Sequence, residues 1–223
     1  MDQHSPTPRV CSMQSWEKVA RRIRVPLGFI TAAVYLAEVA RRAPHPKAIA
    51  WSVVLVLPGL LLRAAASGTV KKNLELTVTG PYAYTRNPLY LGSMLIAAGF
   101  AVALMSWPVA LLMAAGFAAI YIPVIASEER YLRATFAGFD EYCRHVPRFI
   151  PRLTAARFPD KTDAASDSDK ADRAEGSRAQ SGGFSFALYL KHREYNAALG
   201  AALLYLSLIY LLPVLEAIVH RPG

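Results

Sequence analysis

The feature that most constrains this chain is that its apolar residues come in unbroken blocks, not in the periodic spacing that builds one face of a globular core. Blocks near Val25 to Ala40, Ala48 to Leu62, Leu89 to Met105, Pro108 to Ser127 and Ala197 to Leu215 read as five membrane segments. A full crossing takes about 20 predominantly apolar residues, so the first two are short and the last three sufficient. The expected fold class is an all-α integral membrane protein with about five transmembrane helices. Hydrophobic residues make up 54% of the 223 and charged residues only 18%, and the charges collect between the blocks. A net charge of +9 arranged in this way points to anionic lipid headgroups and the positive-inside rule, and away from nucleic acid.

Placing the N-terminus inside puts 21 of the 25 Lys and Arg in residues 1–24, 63–88 and 128–196. The expected topology is therefore N-inside and C-outside, in an inner or plasma membrane, with any site in those segments facing the cytoplasm. The "RRAPHPK" turn at 41–47 is the one basic stretch that runs against it. The first block follows Arg21, Arg22 and Arg24 without a small-residue cleavage site, and reads as an anchor that stays. Residues 154–183 are rich in Ala, Asp, Ser and Lys and have little to bury, the composition of a disordered linker. The domain expectation is a cytoplasmic segment 1–24, a four-helix core 25–153, that linker, and at 184–223 an interfacial segment "FSFALYLKHREYN" with a fifth helix. Cys11 and Cys143 form no disulfide framework, and the five histidines show no ligand spacing, so no metal is expected.

Three stretches carry the polar chemistry. "GPYAYTRNPLYLG", Gly80 to Gly92, sets a Gly-Pro turn, three tyrosines and an Arg-Asn-Pro tripeptide directly before the third block. Pro88 suits the first turn of a helix and biases Asn87 to an extended N-cap. Arg86 either snorkels to lipid phosphate or binds a ligand, and Tyr90 either lines a pocket or belongs to an interfacial aromatic belt. Gly92 and Gly99 share a face that admits another backbone. In "IASEERYL", Glu128 and Glu129 would oppose the helix dipole if they closed the fourth helix. Either the helix continues through Leu132 and they pair with Arg130 or Arg133, or a ligand wants them there. In "FAGFDEYCRHVPRFIPR", Phe136, Phe139 and Tyr142 recur every three residues, an aromatic stripe typical of a core, before the twice-broken segment at Pro147 and Pro151.

In this order, G-P-Y-x-Y-x-R-N-P-x-Y-x-G, a helical hairpin, E-E-x-x-L, aromatics and V-P-R-x-I-P, the chain resembles the isoprenylcysteine carboxyl methyltransferase family over Gly80 to Arg152. It is more loosely similar to the phospholipid N-methyltransferases. The resemblance implies an integral membrane enzyme transferring a methyl group from S-adenosylmethionine to a carboxylate or thiolate of a lipophilic acceptor. The cofactor pocket would lie at the cytoplasmic end of the hairpin formed by the third and fourth helices. Tyr84, Arg86, Asn87, Pro88, Tyr90, Gly92, Glu128, Glu129 and Tyr142 are implied in cofactor binding, with Arg148 and Arg86 in catalysis. Asn87 stands where many members carry His, which it replaces as a hydrogen-bonding group but not as a proton carrier near neutral pH. Phe139 stands where a tyrosine is common and is given no polar role. The competing readings are a phospholipid or amine N-methyltransferase, for which no base is obvious, and a non-catalytic membrane scaffold; a sterol reductase-like enzyme would need a longer chain.

Overall fold

The computed structural model describes residues 33–35, 37–39, 41, 45–70, 76–158 and 184–211. Within them the regular structure is helical and no strand occurs. Residues 33–35, 37–39 and 41 are helical. Then come α1 (Pro46–Thr69), a 3₁₀ turn (Gly80–Ala83), α2 (Pro88–Leu104), α3 (Trp107–Thr135), α4 (Phe139–His145), α5 (Phe186–Lys191) and α6 (Tyr195–Leu206), which runs on into a π turn, Ser207–Leu211. The expected segment 1–24, nearly all of the linker and the last residues of the fifth block lie outside the described residues, as does most of the first block.

Among the described residues two helices are long and apolar enough to cross a membrane, α1 with 24 residues and α3 with 29. Only 22% and 17% of their most apolar windows are buried, whereas the central helix of a water-soluble core is mostly covered. Trp51, Leu57 and Leu61 on α1 and Leu111 and Ile122 on α3 stand exposed, as lipid-facing side chains do. The second block, short in the sequence, is thus one of the two longest helices. Arg63 ends the apolar run at Leu62, but the backbone helix continues past it to Thr69. By contrast α2, taken as a full crossing, has 17 residues.

The helices α1 and α2 pack closely because glycines face each other. A Cβ on Gly59 would lie 2.8 Å from the Gly92 carbonyl oxygen, and one on Gly92 would lie 2.7 Å from that of Gly59. Gly99 meets Ser52 O and Val56 in the same way. These small residues let two backbones approach without side chains between them. Against this pair, α6 and the π turn add Ala201, Tyr205 and Leu208 to a core with Val56, Phe100 and Ala103. Tyr205 meets the Ser52 hydroxyl at 2.7 Å, satisfying two polar groups inside that apolar layer.

Between α2 and α3 the packing is different. The helices are joined by Met105, left-handed at φ 46°, and Ser106, the N-cap of α3. They leave an apolar cleft of about 650 Å³, lined by Ala97, Ala101, Ala110, Ala114, Ala118 and Phe149 among others. A second, smaller core of Phe139, Tyr142 and Val146, with Leu132, Phe136 and Phe158 against it, holds α4 under the end of α3. The aromatic stripe is therefore core. Phe158 and Ala156 are ordered in this layer, so packed structure extends past residue 153 into the expected linker.

Candidate active site

The site is assembled by four segments that meet where α2 begins. Gly80 starts the first of them at φ 59°, where Thr69 Cγ2 would lie 2.9 Å from any Cβ, so glycine serves both the conformation and the contact. The turn delivers Arg86 and Asn87 just ahead of Pro88, the first residue of α2. A second segment, 147–156, runs beside it and is strapped on by backbone bonds: Arg86 N donates to Pro147 O at 2.9 Å, Arg152 N to Tyr84 O at 3.0 Å and Ala156 N to Ala83 O at 2.9 Å. Side chains tighten the strap. The buried Thr85 hydroxyl donates to Arg148 O at 3.1 Å, and Asn87 Nδ2 donates to the same carbonyl at 3.1 Å. Tyr142 Oη donates to Tyr82 O at 2.8 Å.

This use of Asn87 differs from the expected N-cap. It occupies the N-cap position, but its side chain makes no capping bond and instead holds the Arg148 carbonyl. Tyr84 contributes its backbone carbonyl to the strap while its side chain is exposed. Gly92 is turned to α1, at the helix contact described above.

Where the strap crosses the end of α3, Glu129 accepts a two-pronged bond from Arg148, Nε to Oε1 at 3.0 Å and Nη2 to Oε2 at 2.5 Å. Arg86 Nη1 approaches the same carboxylate at 3.3 Å and Cys143 Sγ at 2.6 Å. The two glutamates are therefore mid-helix, as one of the two sequence alternatives had it, but Glu129 pairs across the fold with Arg148 and Arg86. Arg133 pairs with Asp140 at 2.7 Å, and Arg130 Nε donates to Ala126 O at 3.2 Å. Glu129 is 8% exposed and two guanidiniums share its one charge, so the cluster carries a net positive charge. The bond to Glu129 raises the Arg148 guanidinium further above its ordinary range, which keeps it a cation at any working pH. Arg86 Nε is buried without an acceptor among the described residues. Such a donor costs about 1–3 kcal/mol until an acceptor reaches it.

Tyr142 and Tyr82 both have phenols pushed up, mainly by burial, so Tyr142 acts as a donor and not as a base. Glu128, one residue before Glu129, is exposed and accepts from Tyr90 Oη at 2.8 Å. From Tyr90 a run of rings leads back to the cleft: Tyr90 meets Tyr121 edge-on at 5.1 Å between centroids, and Tyr121 stacks on Phe117 at 4.2 Å. Phe117 lines the cleft, as does Phe149, the neighbour of Arg148 in the chain. The lining of the apolar cleft thus comes within one residue of the cationic cluster. The structure brings Arg86, Asn87, Glu129, Tyr142 and Arg148 together, and sets Tyr90 with Glu128 at the cleft side.

Part of the chain has relatives among known proteins. Residues 51–138 match the phospholipid methyltransferase family. This family lies in the same membrane methyltransferase superfamily as the isoprenylcysteine carboxyl methyltransferases, and it supports a membrane methyltransferase. The match takes in α1 from Trp51 onward, the Gly80 turn, α2 and α3 with Glu128 and Glu129, and it stops before Tyr142 and Arg148. Over 87 residues the chain is 39% identical to the nickel-cobalt-cadmium resistance protein NccN of Alcaligenes xylosoxydans xylosoxydans, covering 39% of this chain and 41% of that one. It is likewise 39% identical over 87 residues to the cobalt-zinc-cadmium resistance protein CzcN of Cupriavidus metallidurans, covering 40% of that protein. The chain spans about two fifths of the length of these curated relatives. No solved structure matches the chain.

Thr85, Tyr82 and Cys143 join the site although none was singled out from the sequence. Thr85 sits inside the quoted Gly80–Gly92 motif, which was the available signal, but only the fold shows its hydroxyl spanning to the strap.

Proposed function

We propose that the protein is a membrane methyltransferase that uses S-adenosylmethionine to methylate an anionic group, a carboxylate or thiolate, on a lipophilic acceptor. The observation that carries this reading is the cationic cluster of Arg86, Glu129 and Arg148 next to the lining of an apolar cleft. The residues suit the cofactor. Arg86, with its buried Nε–H, and Arg148 offer charge-assisted bonds to a carboxylate, Glu128 accepts from hydroxyls or an ammonium, and Tyr90 and Tyr121 present ring faces. Bound S-adenosylmethionine supplies an electrophilic methyl group on a sulfonium.

The chain's own work is then to hold and orient. The cleft takes the acceptor's apolar portion, Phe149 excludes water at its polar end, and the Arg148 guanidinium favours the ionised acceptor. An anion needs no proton removed before it attacks, which fits buried tyrosines that stay protonated and an Asn87 that does not titrate. The site would face the cytoplasm, in keeping with the distribution of Lys and Arg.

The phospholipid methyltransferase match favours a second reading, in which the acceptor is a lipid amine held by Glu128 and the Tyr90 and Tyr121 rings. The experiment that tests both is titration of S-adenosylmethionine into the detergent-purified protein, followed by transfer of labelled methyl to extracted membrane lipids and lipophilic acids. Saturable binding lost in Arg86→Ala and Glu129→Ala is expected, with product label released by mild base as an ester from a carboxylate acceptor, or held base-stable on sulfur from a thiolate. Base-stable label on an amine would select the second reading. Absence of binding by folded protein would sink both.

A further inference from the structure

Arg63 stands in α1 among apolar neighbours, and its guanidinium is spent on four contacts. Nε and Nη2 donate to Glu194 Oε2 at 3.0 and 2.6 Å, while Nη1 donates to Ser93 Oγ at 2.5 Å and Leu89 O at 3.3 Å. Both partners are largely covered, with side-chain exposures of 22% and 15%. Leu89 and Ser93 bracket Tyr90 in the first turns of α2, the helix that starts directly after Arg86 and Asn87. Glu194 comes from the other end of the chain, well past residue 138, where the family match stops.

The segment bearing Glu194 is docked at several points. Ser185 N donates to Gly68 O at 2.8 Å, His192 Nδ1 lies 2.9 Å from Ser67 O, and the Phe184 ring covers Gly68. Arg193, immediately before Glu194, adopts φ 54°, a left-handed conformation unfavourable for a non-glycine residue. That turn aims the next side chain back at α1. A surface ion pair would not warrant such a conformation, since exposed pairs contribute little.

We infer that Glu194 is a positioning residue for the active site: it fixes the Arg63 guanidinium, and Arg63 fixes the first turns of α2, which carry Tyr90 and follow directly on Arg86 and Asn87. The C-terminal segment is then part of the catalytic unit and not only an added anchor. The inference rests on the methyltransferase reading above.

The test compares S-adenosylmethionine affinity and thermal stability in the full-length protein for wild type, Glu194→Gln and the double variant Arg63→Met with Glu194→Met. Replacing a whole covered ion pair by apolar residues of similar size is commonly tolerated, whereas removing one partner is not. The double variant is expected to melt near the wild type and yet bind cofactor about tenfold more weakly, because the donors to Leu89 and Ser93 are gone. Glu194→Gln, which keeps an acceptor for Arg63, is expected to fold and to weaken binding several-fold. Wild-type affinity in either folded variant would overturn the inference by showing the pair to be a clamp only. If the wild type itself does not bind, the methyltransferase reading falls and the inference falls with it.

Discussion

At the scale of single residues, the decisive arrangement is one carboxylate between two guanidiniums. Removing Glu129 leaves a largely covered Arg86 facing a half-exposed Arg148, so Glu129→Ala is expected to destabilise the protein by about 1–2 kcal/mol as well as abolish cofactor binding, measured by thermal melt and titration. Arg86→Lys keeps the charge but loses the fork that reaches Glu129, Cys143 and an incoming acceptor together, and binding is expected to weaken by about tenfold or more. Thr85→Val removes only a hydroxyl that donates to the strap. Its expected cost is about 1–2 kcal/mol, and because the bond holds the Arg148 carbonyl, KM should rise with little change in stability-corrected kcat.

At the scale of elements, α1 and α2 are joined by glycine and α2 and α3 are parted by alanine-lined space. Gly92→Leu would drive a side chain into the Gly59 carbonyl, with neither backbone able to yield; the expected result is loss of folded protein after detergent extraction. The turn between α2 and α3 makes the opposite prediction. Met105 is left-handed and largely exposed, so Met105→Gly should raise stability by about 1 kcal/mol, read as a small increase in melting temperature.

At the scale of the whole molecule, a lipid-exposed bundle carries its polar chemistry at one end and an apolar cleft whose lining comes close to it. Filling the cleft with Ala114→Trp should leave S-adenosylmethionine affinity unchanged and discriminate against long-chain acceptors, seen as a shift in preferred chain length when an acceptor series is assayed. Equal activity across the series would remove the cleft from the acceptor path.

Much of this was legible in the chain because membranes and helix starts impose local rules. Apolar blocks located α1, α2 and α3, Gly80 and Pro88 marked a turn and a helix start, and the Gly92–Gly99 face announced a close helix contact. Spacing within a few residues is enough for each. Partners were not legible, because they join residues far apart in sequence: Glu129 with Arg148, Asn87 with the Arg148 carbonyl, Arg63 with Glu194. Arg63 shows the reason most directly. Read along the chain, a charge ends an apolar helix at Leu62; in the fold, a carboxylate 131 residues away neutralises it and the helix runs on. The sequence determined where the chain turns helical and apolar, through local sterics and solvation, and the tertiary structure alone decided which charges meet, since only packing brings them out of water together.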